Sequence, residues 1–380
     1  MTRRGALLLP FPALLLCCAL ATGAPAYYFL FAAFAVTYLY SMLTALLLKG
    51  TLRAAYSCEK HKVLRGENAA MTLETVHRCP LPVSAARAEI SFGSGHYAAS
   101  FAIAPFRKET TEISLPASHV GVFSFAAERI ILEDLFGLFR VRVRPAGNGG
   151  ITVLPVPFEL ARTDSLGENG EKTQNRARED YASPEDVRAY MPGDALKRIH
   201  WKLSSQRREL VVRRFETPSP PDTLILMDPS APLVPAGDPE NAAEMRDTLC
   251  ETCLTAAQVQ LRGGCPVRIP LYGEGSAEFV SDREDRLPLL QEMLARQRFE
   301  KDNLFPDVLR VESGHIRKAG AVILITTELT AESVDTAGRI RRAGPNVRLY
   351  LLTFQPEEAE KDPLVERLQN YYIQVCFVTP

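Results

Sequence analysis

The chain opens on an uncharged run from Gly5 to Leu48, 44 positions in all. A bilayer crossing takes about 20 apolar residues of helix, so the run is long enough for two. Thr22-Gly23-Ala24-Pro25 breaks it with turn-forming residues. The pattern predicts two membrane helices, Gly5–Ala21 and Ala26–Leu48, joined by a very short hairpin. Beyond them the period changes. Short segments alternate apolar and polar positions at Ala70–Val76, Ala88–Phe92, Tyr97–Ile103, Thr111–Leu115, Val122–Ile131 and Phe139–Val143. Alternation sends successive side chains to opposite faces of a strand. Arg65-Gly66-Glu67-Asn68, Gly93-Ser94-Gly95 and Asn148-Gly149-Gly150 supply the turns. An all-β sandwich is expected here. Residues 162–180 are polar, cannot supply a core, and read as a linker or loop.

From Thr223 the pattern changes again. Apolar runs at Thr223–Met227, Val267–Tyr272, Ala321–Thr326, Val347–Phe354 and Ile373–Val378 alternate with helical periodicity at Asn241–Arg262, Arg286–Gln297, Ser333–Ala343 and Leu364–Gln369. Such alternation predicts an α/β domain with a parallel sheet wrapped on both faces. The expected organisation is a membrane hairpin of two α-helices (1–50), a β-sandwich domain (51–160), a polar linker (161–180) and a basic segment leading into the α/β domain (181–380).

Charge sets the orientation. Arg3 and Arg4 precede the first span, and Lys49 and Arg53 follow the second. Positive charge at both outer ends places them on the cytoplasmic side. The expectation is a multi-pass protein of the cytoplasmic membrane with its body in the cytoplasm. A cleaved signal peptide ending near Ala24-Pro25-Ala26 is the competing reading; the second span would still anchor the chain, with the body outside. The net charge of −1 excludes a general nucleic-acid coat. The eight cysteines show no disulfide-framework spacing, which suits a reducing compartment.

One segment departs from this charge balance. Between Arg188 and Glu216 there are eight Lys or Arg against three acids, with the chain's single tryptophan, Trp201, among them. Arg188-Ala189-Tyr190, Pro192-Gly193-Asp194, Arg198-Ile199-His200-Trp201-Lys202, Ser204 and Glu209-Leu210-Val211-Val212 follow in order. This run resembles the signature of the bacterial domain-of-unknown-function 58 family. Glu133-Asp134-Leu135-Phe136-Gly137-Leu138-Phe139 resembles a strip that often precedes that signature. From its residues alone the strip reads as a turn followed by a strand burying two phenylalanines. Members of the family are often encoded beside MoxR-type AAA+ ATPases, so the resemblance implies a partner rather than a reaction.

Pro192-Gly193-Asp194 reads as a turn with Asp194 as N-cap of a helix from Ala195, giving Leu196, Ile199 and Leu203 one apolar face. Arg188, Asp194, Arg198, His200, Trp201 and Lys202 are then candidates for a partner-docking surface. Equally, the cations can pair with acids of the same fold while Trp201 packs into a domain junction. Asp228-Pro229-Ser230-Ala231-Pro232 follows the first α/β strand, where open α/β sheets bind ligands. It resembles the D-x-S-x-S metal loop of von Willebrand factor A domains, which holds Mg²⁺ through oxygens. Asp228 and Ser230 match that pattern. Pro232 has no side-chain oxygen to offer, and Ile325-Thr326-Thr327-Glu328 has no Asp where such domains place their second acid. The expected site is degenerate, with Asp228 anchoring its loop and no cofactor required.

His61, His77, His96, His119 and His315 are dispersed. Cys250-Glu251-Thr252-Cys253 lies within predicted helix, where an apolar face explains it. No phosphate-binding G-x-x-x-x-G-K-[ST] occurs. No nucleophile–base pair can be assigned. The expectation is a membrane-anchored, non-catalytic interaction protein that contacts lipid through its hairpin, docks a MoxR-type AAA+ ATPase and binds no nucleic acid. The alternatives are a Mg²⁺-dependent ligand-binding domain and an envelope-associated enzyme with an unidentified nucleophile.

Overall fold

The computed structural model describes residues 2, 7–8, 10–58, 61–78, 80, 85–93, 95–160, 186–191, 199–214, 222–231, 238–273, 276–299, 305–316 and 319–380. The chain divides into two compact units, Met1–Leu154 and Pro155–Pro380.

The first unit begins with a pair of apolar helices, α1 (Pro10–Thr22) and α2 (Pro25–Thr51). Gly23 takes a left-handed φ of 65° between them, a conformation that costs glycine nothing. Pro25 starts α2 where a backbone N–H has no helical partner to lose. The chain folds back, so that the rings of Phe11 and Phe34 meet at 5.1 Å. α2 is long and apolar enough to cross a membrane, whereas α1 is a shorter apolar helix.

α2 runs directly into β1 (Leu52–Cys58). There follow β2 (Lys62–Leu64), β3 (Asn68–His77), β4 (Ala85–Phe92), β5 (Gly95–Phe101), β6 (Lys108–Pro116), β7 (Gly121–Glu133), β8 (Arg140–Val143) and β9 (Gly149–Leu154). One sheet is β1-β3-β6, antiparallel throughout. The other runs β2-β9-β7-β4-β5 and curls about the long β7, which pairs β9 near its start and β8 near its end. Met71 and Leu73 from the first sheet share a core with Ile90, Ile130, Leu132 and Val153 from the second. The all-β reading therefore holds in the form of a small sheet sharing its core with a curled one. Asn148-Gly149-Gly150, expected as a turn, instead leads into β9. Gly149 is required there because a Cβ would fall 2.0 Å from the Phe125 ring.

The Glu133–Phe139 strip corrects its reading. Asp134 and Leu138 are the buried residues, while Leu135 and Phe136 are exposed. Period-2 logic fails because the strip is a turn held by its own aspartate. Asp134 accepts the backbone N–H of Phe139 at 2.7 Å and of Phe136 at 3.2 Å, and Gly137 takes a φ of 66°.

The second unit contains β10 (Asp186–Ala189), α3 (Trp201–Arg207), β11 (Val211–Arg214), β12 (Thr223–Met227), α4 (Pro239–Arg262), β13 (Val267–Leu271) and β14 (Ala277–Ser281). Beyond these lie α5 (Leu287–Ala295), α6 (Phe305–Ile316), β15 (Ala321–Thr326), α7 (Ala331–Arg342), β16 (Asn346–Leu352), α8 (Pro356–Ala359), α9 (Pro363–Asn370) and β17 (Gln374–Val378). The main sheet has the order β14-β13-β12-β15-β16-β17. It is parallel from β13 to β17, but β14 runs antiparallel at the edge, so the sheet is mixed rather than wholly parallel. The central β12 and β15 are buried at every residue, as continuous apolar runs require when both faces are covered. The arrangement is that of a Rossmann-like domain.

α4 is buried almost all round, polar positions included. Residues 155–158 supply partners for some of the polar ones. The Val156 N–H donates to Glu251 at 3.3 Å, the Phe158 N–H donates to the Thr255 hydroxyl at 3.1 Å, and Gln291 of α5 donates to the Pro155 carbonyl at 3.0 Å. This segment satisfies side chains that burial would otherwise penalise.

Candidate functional site

The basic segment folds as a small β–α–β cap. β10 and β11 pair antiparallel, with Asp186 opposite Arg214 and Ala189 opposite Val211. The pairing extends through the Tyr190 N–H to the Leu210 carbonyl at 2.8 Å. Ile199 forms an isolated bridge with Val212 and is buried. The expected helix face of Leu196, Ile199 and Leu203 is therefore interrupted at Ile199, which β-pairing claims, and α3 starts at Trp201. The expected helix start at Ala195, with Leu196, lies outside the described residues.

His200 is the N-cap of α3. Its Nδ1 accepts the Leu203 N–H at 3.2 Å, and its backbone N–H donates to the Val211 carbonyl at 2.8 Å. Ser204, one turn on, is buried; its hydroxyl accepts the Val211 N–H at 2.9 Å and donates to the Val211 carbonyl at 3.4 Å. Together they tie α3 to β11 through a single residue's backbone groups. His200 and Ser204 thus have structural duties that the sequence signature does not reveal.

Trp201 is 63 % exposed, with Lys202 beside it also exposed. Met191 and Leu210 are exposed on the same cap. An indole is costly to leave in water. Arg188 lies in β10 opposite Val212. Asp194 and Arg198 lie outside the described residues, as does the side chain of Arg188.

A second candidate lies at the carboxyl end of the central strands. Asp228, 4 % exposed, follows β12. One carboxylate oxygen accepts the Ser230 N–H at 2.9 Å, and the other accepts the Thr326 hydroxyl at 2.7 Å from the end of the adjacent β15. The Thr326 hydroxyl in turn accepts the Glu328 N–H at 3.2 Å. Burial pushes the Asp228 carboxyl above the usual carboxylate range, and the bonds from Ser230 and Thr326 pull it back. Octahedral Mg²⁺ needs several open oxygen ligands. Here both carboxylate oxygens already serve protein donors, and Pro232 lies outside the described residues. Among the described residues no three His, Cys, Asp or Glu side chains come together as a metal cluster. These contacts join the loop after β12 to the end of β15.

Two further clusters are buried in the second unit. Cys250 and Cys253 are buried on α4, and burial pushes the Cys253 thiol up to about 12. Both are protonated packing residues. Glu312 of α6 is buried and accepts from Arg268 of β13 at 2.8 Å and from the Tyr272 hydroxyl. Sequence reading missed this network because its members lie far apart in the chain with no motif around them.

Residues 186–347 match the family described as "Protein of unknown function DUF58". The chain is 24 % identical over 213 residues to the uncharacterized protein YeaD of Bacillus subtilis (strain 168), covering 53 % of this chain and 54 % of that protein. It thus spans about half the length of that curated relative. Among solved structures, the CARDB domain of the PF1109 protein from Pyrococcus furiosus is 9 % identical with a TM-score of 0.20, covering 27 % of this chain and 91 % of that one. The seventh ScaB type I cohesin from Pseudobacteroides cellulosolvens is 10 % identical with a TM-score of 0.20, covering 30 % and 98 %.

Proposed function

We propose that this chain, which carries a DUF58-family domain over residues 186–347, is a membrane-anchored, non-catalytic docking protein. Its apolar helix pair holds it in the bilayer, and the β10–α3–β11 cap presents the contact surface for a partner protein. The observation that carries the reading is the solvent-facing Trp201. Exposed tryptophan beside a cation, on a cap whose backbone is tied down by β10–β11 pairing, is the composition of an interface anchor. The neighbouring Met191 and Leu210 add apolar area, while Lys202 and Arg208 give the surface its sign. A von Willebrand factor A-like character of the α/β domain is part of the proposal. It is supported by the sheet order, with one antiparallel edge strand, and by the Asp228-Pro229-Ser230 loop after the first strand.

The proposed partner is a MoxR-type AAA+ ATPase, a choice that rests on the family resemblance. The test is affinity purification of the tagged, detergent-solubilised chain from its host, compared with Trp201→Ala and Lys202→Glu variants. An AAA+ ATPase should accompany the wild type and fall at least roughly tenfold with Trp201→Ala, the scale of an interface anchor, while thermal stability is unchanged. Undiminished recovery with both folded variants would remove the cap as the docking surface.

A further inference from the structure

The turn after β7 sits at a depth on α2 that its loop position alone would not suggest. The Ser41 hydroxyl, wholly buried on α2, donates to the Asp134 carboxylate. Phe139 packs against Tyr38 with ring centroids 5.3 Å apart, and Phe136 against Tyr40 at 6.2 Å. From the other side, the Thr2 hydroxyl donates to the Gly137 carbonyl at 2.7 Å and the Thr2 N–H to the Leu138 carbonyl at 2.9 Å. Residues 134–139 are thereby fixed at the level of Ser41.

The uncharged part of α2 runs from Pro25 to Leu48. A hydrocarbon core about 30 Å thick takes about 20 helical residues. Wherever a window of that length is placed in this stretch, Ser41 lies about three to seven residues inside the boundary. At 1.5 Å per residue that is roughly 5–10 Å into hydrocarbon. The turn goes with it. Its one charged side chain is suited to that depth, because Asp134 is 2 % exposed and engaged by Ser41 and two backbone N–H groups. The side chains that point outward are Leu135 and Phe136, 49 % and 51 % exposed, and α2 displays exposed Leu39, Leu43 and Leu46 at similar levels on its face away from Ser41. Past the turn, exposed Arg140 follows Phe139 directly and pairs with Glu133 at 2.6 Å, and exposed Arg142 comes about 7 Å further along β8 at a strand's rise per residue. The long Arg140 stem lets its head reach toward the headgroup layer from the base of the turn.

We propose that the Leu135–Phe136 tip is a bilayer-immersed wedge that binds acyl chains and holds the β unit against the membrane surface, with α2 and the tip acting as one rigid stem. This rests on the reading of α2 as a membrane helix. The test uses full-length protein in nanodiscs of phosphatidylcholine and phosphatidylglycerol, in a Trp201→Phe background so that one indole reports at a time. Leu43→Trp reports on α2 and Phe136→Trp on the tip, with Leu135→Trp as a second tip reporter should Phe136→Trp fold poorly. The expected result is blue-shifted emission from the tip, quenched by brominated lipid by a fraction comparable to Leu43→Trp and shielded from aqueous iodide. If brominated lipid quenches Leu43→Trp while iodide alone quenches the tip, the wedge is wrong and the membrane helix stands. If brominated lipid quenches neither reporter, the membrane reading falls and the wedge falls with it.

Discussion

His77 closes β3 with its ring 1 % exposed, and neither ring nitrogen has a hydrogen-bond partner among the described residues. Burial holds its imidazole below the usual value of 6.5, and the Ala104 backbone and the Glu109 carboxylate pull it part of the way back. The folded chain therefore keeps His77 neutral, while the unfolded chain takes up a proton once the pH falls below about 6.5. Its contribution is fully present above that pH and is lost as the pH drops toward the folded value, by up to about 1.4 kcal/mol per pH unit. Thermal melts of detergent-solubilised protein between neutral pH and the mid-fives should show this acid-side loss shrinking in His77→Phe; parallel profiles would exclude the ring as its source. Nothing in the sequence separated His77 from the other dispersed histidines, because its burial comes from the strand pairing of Leu52 opposite it. Asp228 was legible, since a carboxylate at the end of a buried strand marks the mouth of an α/β sheet. Its Thr326 partner, 98 positions on, became visible only when β12 and β15 paired. For Trp201 composition drew attention to the residue, but exposure had to be read from the fold.

Elements were most legible where apolar runs are long. β12 and β15 lie at their expected residues, since continuous burial permits no alternation and few other placements. β14 and α6 were missed for the opposite reason. β14 is an edge strand with two buried positions, and its sequence lacks a strong period. α6 is fastened as much by charge as by its apolar face. Glu312 on α6 reaches Arg268 on β13, which also pairs with Glu278 on β14, so one network binds both missed elements to the sheet. Removing the Glu312 carboxylate leaves the Tyr272 hydroxyl without its acceptor and Arg268 with Glu278 alone. Glu312→Ala should therefore lower stability by about 2 kcal/mol, the scale of charged hydrogen bonds lost, measured by denaturant unfolding of the detergent-solubilised chain, with Glu312→Gln falling between it and wild type. A loss below about 0.5 kcal/mol, the scale of an exposed pair, would show that the network is not holding α6. The signature itself shows the same limit at short range, because the bridge to Val212 takes Ile199 out of helical pairing.

At the scale of the whole molecule, two predicted membrane helices became one helix long enough to cross and a shorter companion. They nevertheless form a hairpin, because Thr2 returns to the Gly137–Leu138 carbonyls beside the later half of α2. Both outer ends of the pair therefore lie at the same end of the hairpin. In the sequence, Arg3 and Arg4 stand ahead of α1, Lys49 closes α2 and Arg53 follows it. Cytoplasmic retention of such clusters would place the rest of the chain in the cytoplasm, the topology that the proposed docking requires. A signal peptide cleaved near Ala24 would reverse this and discard α1. Native cysteines cannot decide between the two, since Cys250 and Cys376 are buried and would stay unlabelled on either side. Glu357 on α8 is exposed. In Glu357→Cys, an impermeant maleimide should label intact cells no more than wild type, and label strongly once the inner membrane is opened. Strong labelling of intact cells, together with a chain shortened at its N-terminus, would put the cap outside, out of reach of any cytoplasmic ATPase. The docking proposal and the topology therefore stand or fall on the same four basic residues, which makes labelling the cheaper experiment to run first.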